Sequence, residues 1–192
     1  MGLLSIFKSK PATIPSLEEQ EKNARNIVDN FIGVVYSEFD KTEDSKERLV
    51  RKKFKIAGIT NYCTVADQGL IKGVAFIDKN NQFDKNAIGL GKLNKNNAIA
   101  SIYGYIPKDS KEDYEKIAEG KPILPFIGYI RRFTTYEGKS GLMGQVKFYS
   151  GPSKKIYEEM VKDVMTIDGA FKGYDGDQRI SLEEQEYVLK GI

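Results

Sequence analysis

The sequence predicts a mainly β domain with flanking helices, an α+β chain built around a small six-stranded barrel of the OB type. Six short β-prone runs lie between about residues 50 and 150 and are separated by Gly, Asn and Asp. Helical patterns precede and follow this region. Hydrophobic residues make up 40% and charged residues 30% of the 192 positions, which is typical of a globular chain long enough to bury a core.

The N-terminal segment, residues 1–46, is predicted to contain a tether and one amphipathic helix. Ser16 and Glu19 form the pattern of a capping box, which marks the start of a helix. Apolar residues then recur at helical spacing as far as residue 36, at Ala24, Ile27, Val28, Phe31 and Val35. We expect this apolar face to pack on the barrel, and binding to a partner or a membrane surface is the alternative.

The central segment, residues 47–150, carries the predicted strands. They span residues 54–59, 70–77, 87–93, 98–105, 123–133 and 142–149. A helix over residues 110–119 interrupts them, with Gly120 as its stop. The segment has 18 Lys and Arg against 10 Asp and Glu, a net charge of +8, whereas the flanking segments carry −2 and −3. Such a charge would attract a polyanion, although solvated lysines on strand faces explain it equally well.

Composition excludes several classes of function. There is no histidine, so Ser-His triads, His-ligated zinc and imidazole acid–base chemistry are ruled out. Cys63 is the single cysteine; it cannot form an intrachain disulfide, which suits a reducing cytoplasm, and no histidine can activate it. No apolar run approaches the ~20 residues of a transmembrane helix, and the start of the chain lacks the charged region of a signal peptide. We therefore expect a cytoplasmic protein that is neither an enzyme nor bound to a membrane.

The most informative segment is residues 80–88, Asn-Asn-Gln-Phe-Asp-Lys-Asn-Ala-Ile, a polar turn between two predicted strands. Such a turn is typical of a recognition loop on a small β-barrel. An aromatic ring can stack on any base, at ~1–3 kcal/mol per base, and Tyr62, Phe83 and Tyr105 are the candidates. Tyr103 alternates with Tyr105 along its strand, so we expect it to face the core instead.

Polar side chains near the same turn could complete a nucleic-acid site. Lys85 and Lys108 could neutralise phosphates. Asp84 could accept a hydrogen bond from a terminal 3′ hydroxyl or from a base edge, where no phosphate competes. Asn81 and Asn86 can donate and accept, so they could read a base edge or close the turn.

Structural roles are open for three of these residues. Asn86 could launch the next strand through an Asx turn, Phe83 could fill the core, and Asp84 could cap the amides of its own loop. The last role is compatible with ligand binding, because a carboxylate has two oxygens.

Three motifs in this order resemble the HIRAN domain: residues 54–59 (Phe-Lys-Ile-Ala-Gly-Ile), residues 80–88, and residues 103–108 (Tyr-Gly-Tyr-Ile-Pro-Lys). The resemblance covers about residues 50–150, and residues 80–88 are its specific part. HIRAN domains occur alone in bacteria and phages and fused to SWI/SNF-type helicases in eukaryotes. The resemblance implies a modified OB-like barrel that captures the 3′ end of single-stranded DNA and has no catalysis of its own.

The chain departs from that family at one place. DNA-binding members carry an Arg and an aromatic residue after the first strand, where this chain has Thr60 and Asn61. The aromatic character is kept at Tyr62. The missing Arg removes a charge-assisted phosphate contact, which would lower the affinity or change the ligand.

The C-terminal segment, residues 151–192, is predicted to be a helical hairpin. Its first helix begins at Ser153 and presents one apolar face. The next residues, 173–184, resemble an EF-hand loop with oxygen ligands at alternate positions. The candidate Ca²⁺ ligands are Asp175, Asp177, Arg179 through its carbonyl, Ser181 and Glu184.

That loop has two departures from an EF-hand. Gly173 stands where the first Asp is expected, and Gln178 stands where a Gly permits the sharp turn. The competing interpretation is a metal-free turn, in which Ser181 and Glu184 form a capping box for a second helix, as in TerB-like helical proteins.

Two hypotheses for function follow. The first is a non-catalytic module that binds nucleic acid, namely the 3′ end of single-stranded DNA, in a basic pocket with aromatic stacking. The second is a protein-interaction adaptor or a Ca²⁺-responsive one, in which the C-terminal loop would bind the ion. The sequence predicts no other cofactor and does not distinguish DNA from RNA.

Overall fold

The computed structural model describes residues 15–35, 48–172 and 178–180 of the chain. Within these ranges it is an α+β fold, in which helices flank one antiparallel sheet of six strands. The strands are β1 (Val50–Lys55), β2 (Gly69–Ile77), β3 (Ile88–Leu93), β4 (Ile99–Tyr105), β5 (Ile123–Thr135) and β6 (Ser140–Ser150). Their order is β1-β6-β5-β2-β3-β4, and a short strand β7 (Gln178–Ile180) pairs parallel with β5. The predicted α+β class is confirmed.

The described ranges contain helices on both sides of the sheet. They are α1 (Leu17–Val35), α2 (Ile59–Tyr62), α3 (Lys111–Ala118) and α4 (Ser153–Lys172). The sequence predicted α1, α3 and α4, whereas α2 is new. Among these helices, none has the combination of length and apolar character that crossing a membrane requires.

The inner face of the sheet carries the main hydrophobic core. Side chains from all six strands contribute to it, together with Tyr114 and Ile117 of α3. The ring of Phe148 meets the rings of Phe54 and Tyr114 edge-on, with centroids 5.6 and 5.2 Å apart. Edge-on aromatic pairs add stability beyond their buried area. Helix α3 thus covers the end of the core next to β1 and β6.

The outer face is covered by α4, and α1 packs on α4. The buried stripe of α1 includes Ala24, Val28 and Phe31, in agreement with the predicted helical spacing. Asp163 also ties helix α4 to β6. Its carboxylate accepts a hydrogen bond from the Tyr149 hydroxyl at 2.5 Å and forms an ion pair with Lys147. The apolar face of α1 was expected to lie on the strands, but most of its contacts are with α4.

The sheet is not closed into a barrel, because β1 and β4 are its two edges. Strand β1 was predicted to continue to residue 59, but it ends at Lys55. Gly58 adopts a left-handed conformation with φ 71°, and α2 begins directly after it. Between these points, Ala57 forms one antiparallel bridge with Tyr105, through N–H···O bonds of 2.8 and 3.0 Å. The bridge holds the end of β1 against the end of β4.

The predicted Ca²⁺ loop is described at one ligand position. Arg179 lies in β7, where it pairs with Thr134 of β5. The remaining candidate ligands and the second helix of the hairpin lie outside the described residues, and these ligands are Asp175, Asp177, Ser181 and Glu184. In the described ranges, no group of three or more Cys, Asp and Glu side chains could hold a metal ion. The Ca²⁺ site stays a prediction.

Gly104 makes the bridge possible, and replacing it tests the bridge. It has φ 147°, and a Cβ there would lie 2.4 Å from the Ala57 carbonyl oxygen. Because that oxygen belongs to the bridge, we expect Gly104→Ala to lower the free energy of unfolding by ~3 kcal/mol or more in urea titrations.

Gly69→Ala is the matched control. Gly69 has φ 110°, but a Cβ there would meet no atom within 4 Å. It should therefore show backbone strain alone, about 1–2 kcal/mol. Equal losses for the two variants would show that the close approach at Ala57 contributes nothing.

Candidate nucleic-acid interface

A cavity of about 330 Å³ opens beside the Ala57–Tyr105 bridge. Three parts of the chain line it: the turn into α2, the polar loop that joins β2 to β3 (residues 78–87), and the connection from β4 to α3. The bridge brings the first and third parts together. Small-molecule and nucleotide sites are commonly concave and largely apolar, with a few polar groups at the edge.

Most of the predicted site residues meet at this cavity. Those that line it are Tyr62, Asn81, Phe83, Asp84, Tyr105 and Lys108. Lys85 and Asn86 belong to the same loop but are exposed and lie outside the lining. Six predicted residues from three separate parts of the chain therefore converge on one place.

Sequence reasoning missed two polar residues of the lining, Asn61 and Lys111. Lys111 follows Lys108 by three positions at the start of α3, and that helical spacing would have indicated it. Asn61 stands at the position where the resemblance implies an aromatic residue. Its neighbour Thr60 is exposed and does not line the cavity.

The polar loop is shaped by the side chains of its own residues. Asn81 Oδ1 accepts hydrogen bonds from the amides of Phe83 and Asp84, at 2.8 and 3.0 Å. Asp84 Oδ1 accepts from the amide of Asn86 at 2.8 Å. These are Asx turns, which fix a loop locally without a hydrophobic core. The predicted capping role of Asp84 is present, and it uses one of the two carboxylate oxygens.

Phe83 is held in solvent at the rim of the cavity, where 98% of its surface is exposed. It is not a core residue, so that interpretation was wrong. Burying a Phe side chain is worth ~1.5–3 kcal/mol, and the fold forgoes this gain. Because Asn81 binds the amide of Phe83, the exposed position is imposed by the loop.

Two tyrosines form a corner in the cavity wall. Tyr62 and Tyr105 lie with ring centroids 5.7 Å apart and planes at 71°. The Tyr105 hydroxyl donates to Asp78 Oδ2 at 2.9 Å. Burial and this hydrogen bond raise the pKa of Tyr105 to about 12, so its hydroxyl stays protonated at neutral pH. Tyr103 is buried against Phe126, which confirms the predicted alternation.

Three charged side chains of the cavity have atoms that are available to bind a ligand. Asp84 Oδ2 makes no hydrogen bond with the described part of the chain. Lys108 and Lys111 form no ion pair with any described residue. One acceptor and two cations thus face a mostly apolar cavity.

Cys63 follows α2 directly and lies close to this region. It is buried, and its thiol donates to the Tyr103 carbonyl oxygen at 3.4 Å. Burial raises the pKa of the Cys63 thiol to about 11, so the thiolate is scarce at neutral pH. We therefore assign it a packing role.

The chain matches no protein-family model, no curated protein and no solved structure. The resemblance to the HIRAN domain thus depends on the three motifs of the sequence. The geometry of the cavity is independent of that resemblance. It brings two of the three motifs, residues 80–88 and 103–108, and the end of the first around one opening.

Asn81→Ala tests whether the side chain of Asn81 shapes the polar loop. It removes the acceptor for two amides, so we expect hydrogen exchange at Phe83 and Asp84 to quicken by about five- to ten-fold. Asn94→Ala removes a similar Asx turn between β3 and β4 and should leave those amides unchanged. NMR-detected exchange measures both. Unaltered rates in Asn81→Ala would mean that the loop is held by other contacts.

Proposed function

We propose that this protein is a non-catalytic module that binds the 3′ end of single-stranded DNA in the cavity between the polar loop and the tyrosine corner. The observation that carries the proposal is Phe83, an aromatic ring held almost fully in solvent at the rim of a cavity. Such exposure has no benefit for the free protein, because the ring packs on nothing. It is useful when a base stacks on the ring.

The tyrosine corner supports a ligand of one nucleotide inside the cavity. Stacked bases are parallel to one another, whereas Tyr62 and Tyr105 stand at 71°. The two rings therefore suit one base, which meets one ring by its face and the other by its edge. A volume of about 330 Å³ lies at the small end of ligand cavities, which run from ~300 to ~1,000 Å³. Phe83 at the rim is available to the neighbouring base.

The polar groups support recognition of a chain end. The unoccupied oxygen of Asp84 accepts a hydrogen bond from a 3′ hydroxyl, and a terminal phosphate at that position would be repelled. Lys108 and Lys111 attract the phosphate that precedes the terminal nucleoside. Lys111 thus supplies a cation to the cavity, whereas Thr60, which stands where the resemblance implies an Arg, does not line it.

In this proposal the six-stranded sheet is an OB-like barrel of the HIRAN type with an opening between β1 and β4. The inner side chains of all six strands already share one core, and the Ala57–Tyr105 bridge spans the opening. Single-stranded DNA then binds at this opening, as ligands of OB folds bind on the barrel surface.

Phe83→Ala tests the stacking. We expect it to weaken binding of a labelled oligothymidylate with a free 3′ end by about 5- to 150-fold in fluorescence polarisation at low salt. Tyr136→Ala is the matched control, because it removes an aromatic side chain that is 71% exposed at the β5–β6 turn. It should bind as the unmodified protein does. Absence of binding by the unmodified protein, or equal losses in both variants, would refute the proposed role.

Asp84→Asn separates recognition of the end from folding of the loop. The Asn side chain keeps an oxygen that accepts the hydrogen bond from the Asn86 amide, but an NH₂ group, which donates, replaces the second carboxylate oxygen. The unmodified protein should prefer a free 3′ hydroxyl to a 3′ phosphate by roughly ten-fold, since the phosphate would stand beside a carboxylate. The variant should lose that preference and still bind. If it discriminates the two ends as before, Asp84 does not read the end.

A further inference from the structure

Asp78 joins the polar loop to the tyrosine corner. Its amide donates to the Ala87 carbonyl at 2.9 Å, and its carbonyl accepts from the Asn81 amide at 3.1 Å, so its backbone closes the loop. Its Oδ1 accepts from the Asn80 amide at 3.1 Å. The other oxygen, Oδ2, accepts from the Tyr105 hydroxyl at 2.9 Å. The two carboxylate oxygens therefore serve two different parts of the site.

Tyr105 is fixed at both of its ends. Its amide and carbonyl groups form the bridge to Ala57, which ties its backbone to the chain that leads into α2. Its hydroxyl is tied to the loop through Asp78. Tyr105 thus links the chain that leads into α2 to the polar loop.

We propose that Asp78 is a positioning residue: by accepting from Tyr105, it holds the polar loop and the tyrosine corner at a fixed separation and so preorganises the cavity for its ligand. The inference rests on the proposed function, and it adds a residue that lies outside the cavity lining. A hydrogen bond to an ionised carboxylate is stronger than a neutral one. Order that is present before binding lowers the cost of binding.

Because the two carboxylate oxygens of Asp78 have different partners, substitutions can separate its contact with Tyr105 from its contact within the loop. Tyr105→Phe removes only the hydroxyl and leaves the ring and the Asn80 contact in place. Asp78→Ala removes both contacts. Asp78→Asn is the conservative variant. Its side-chain oxygen can still accept a hydrogen bond from the Asn80 amide, and its NH₂ group can donate a hydrogen bond to the hydroxyl oxygen of Tyr105.

Oligothymidylate with a free 3′ end is the probe for these variants. We expect Tyr105→Phe to weaken binding by about five-fold and Asp78→Ala by about ten-fold or more. The double variant should bind no more weakly than Asp78→Ala, because the tyrosine acts through Asp78. Asp78→Asn should remain within about three-fold of the unmodified protein. Asn94→Ala, which loses only the β3–β4 Asx turn, should bind normally.

Additive losses in the double variant would overturn the inference, since the two residues would then act separately. Normal binding by Tyr105→Phe would also overturn the inference. A second readout needs no ligand: amide exchange at Asn80 and Asn81 should quicken in Tyr105→Phe, although this variant leaves the loop sequence intact. If the unmodified protein binds no DNA, the proposed function fails, and this exchange alone decides the positioning role. Unchanged exchange would then reject it, and faster exchange would support it.

Discussion

Two backbone hydrogen bonds between Ala57 and Tyr105 bring the end of β1 to the end of β4, and the walls of the cavity follow from that contact. The approach is close enough that residue 104 has no room for a side chain, which explains its glycine. Directly after the bridge, Gly58 turns the chain at φ 71° and places α2 beside β4. Tyr62 at the end of α2 therefore meets Tyr105 edge-on. One backbone contact thus creates the tyrosine corner.

The polar loop and the tyrosine corner lie beside the inner hydrophobic core, and Ile88 and Ile106 of that core form part of the cavity lining. The inner core lies among the six strands and α3, and the outer one lies between α4, α1 and the sheet. The polar loop instead depends on Asx turns at Asn81 and Asp84, whose energies are local. The exposed ring of Phe83 therefore leaves both cores intact, although the fold forgoes the gain of burying the ring. For the same reason, most substitutions in the loop should alter binding without unfolding the protein.

Local patterns predicted much of the fold, because strand alternation, capping and helical spacing depend on neighbours in the sequence. Six of the eight predicted site residues line the cavity, because five of those six lie in the motifs at residues 80–88 and 103–108. Helix α2 was missed, because four residues after an apolar run carry no helical period. The open sheet and the contact of Tyr105 with Asp78 are tertiary features, which no local pattern encodes. An apolar stripe predicts that one face of a helix is buried, but it does not say which element covers that face. The packing of α1 on α4 could therefore be seen only in the structure.

Binding of single-stranded DNA at the cavity can be followed residue by residue in an NMR titration. Uniformly ¹⁵N-labelled protein would be titrated with an oligothymidylate of about eight nucleotides, a length within the site size of an OB fold. We expect chemical-shift changes concentrated at residues 57–62, 78–88 and 105–111, with the amides of Phe83 and Asp84 among the largest. Shifts confined to the α1 and α4 face, or none at low salt, would contradict binding at the cavity.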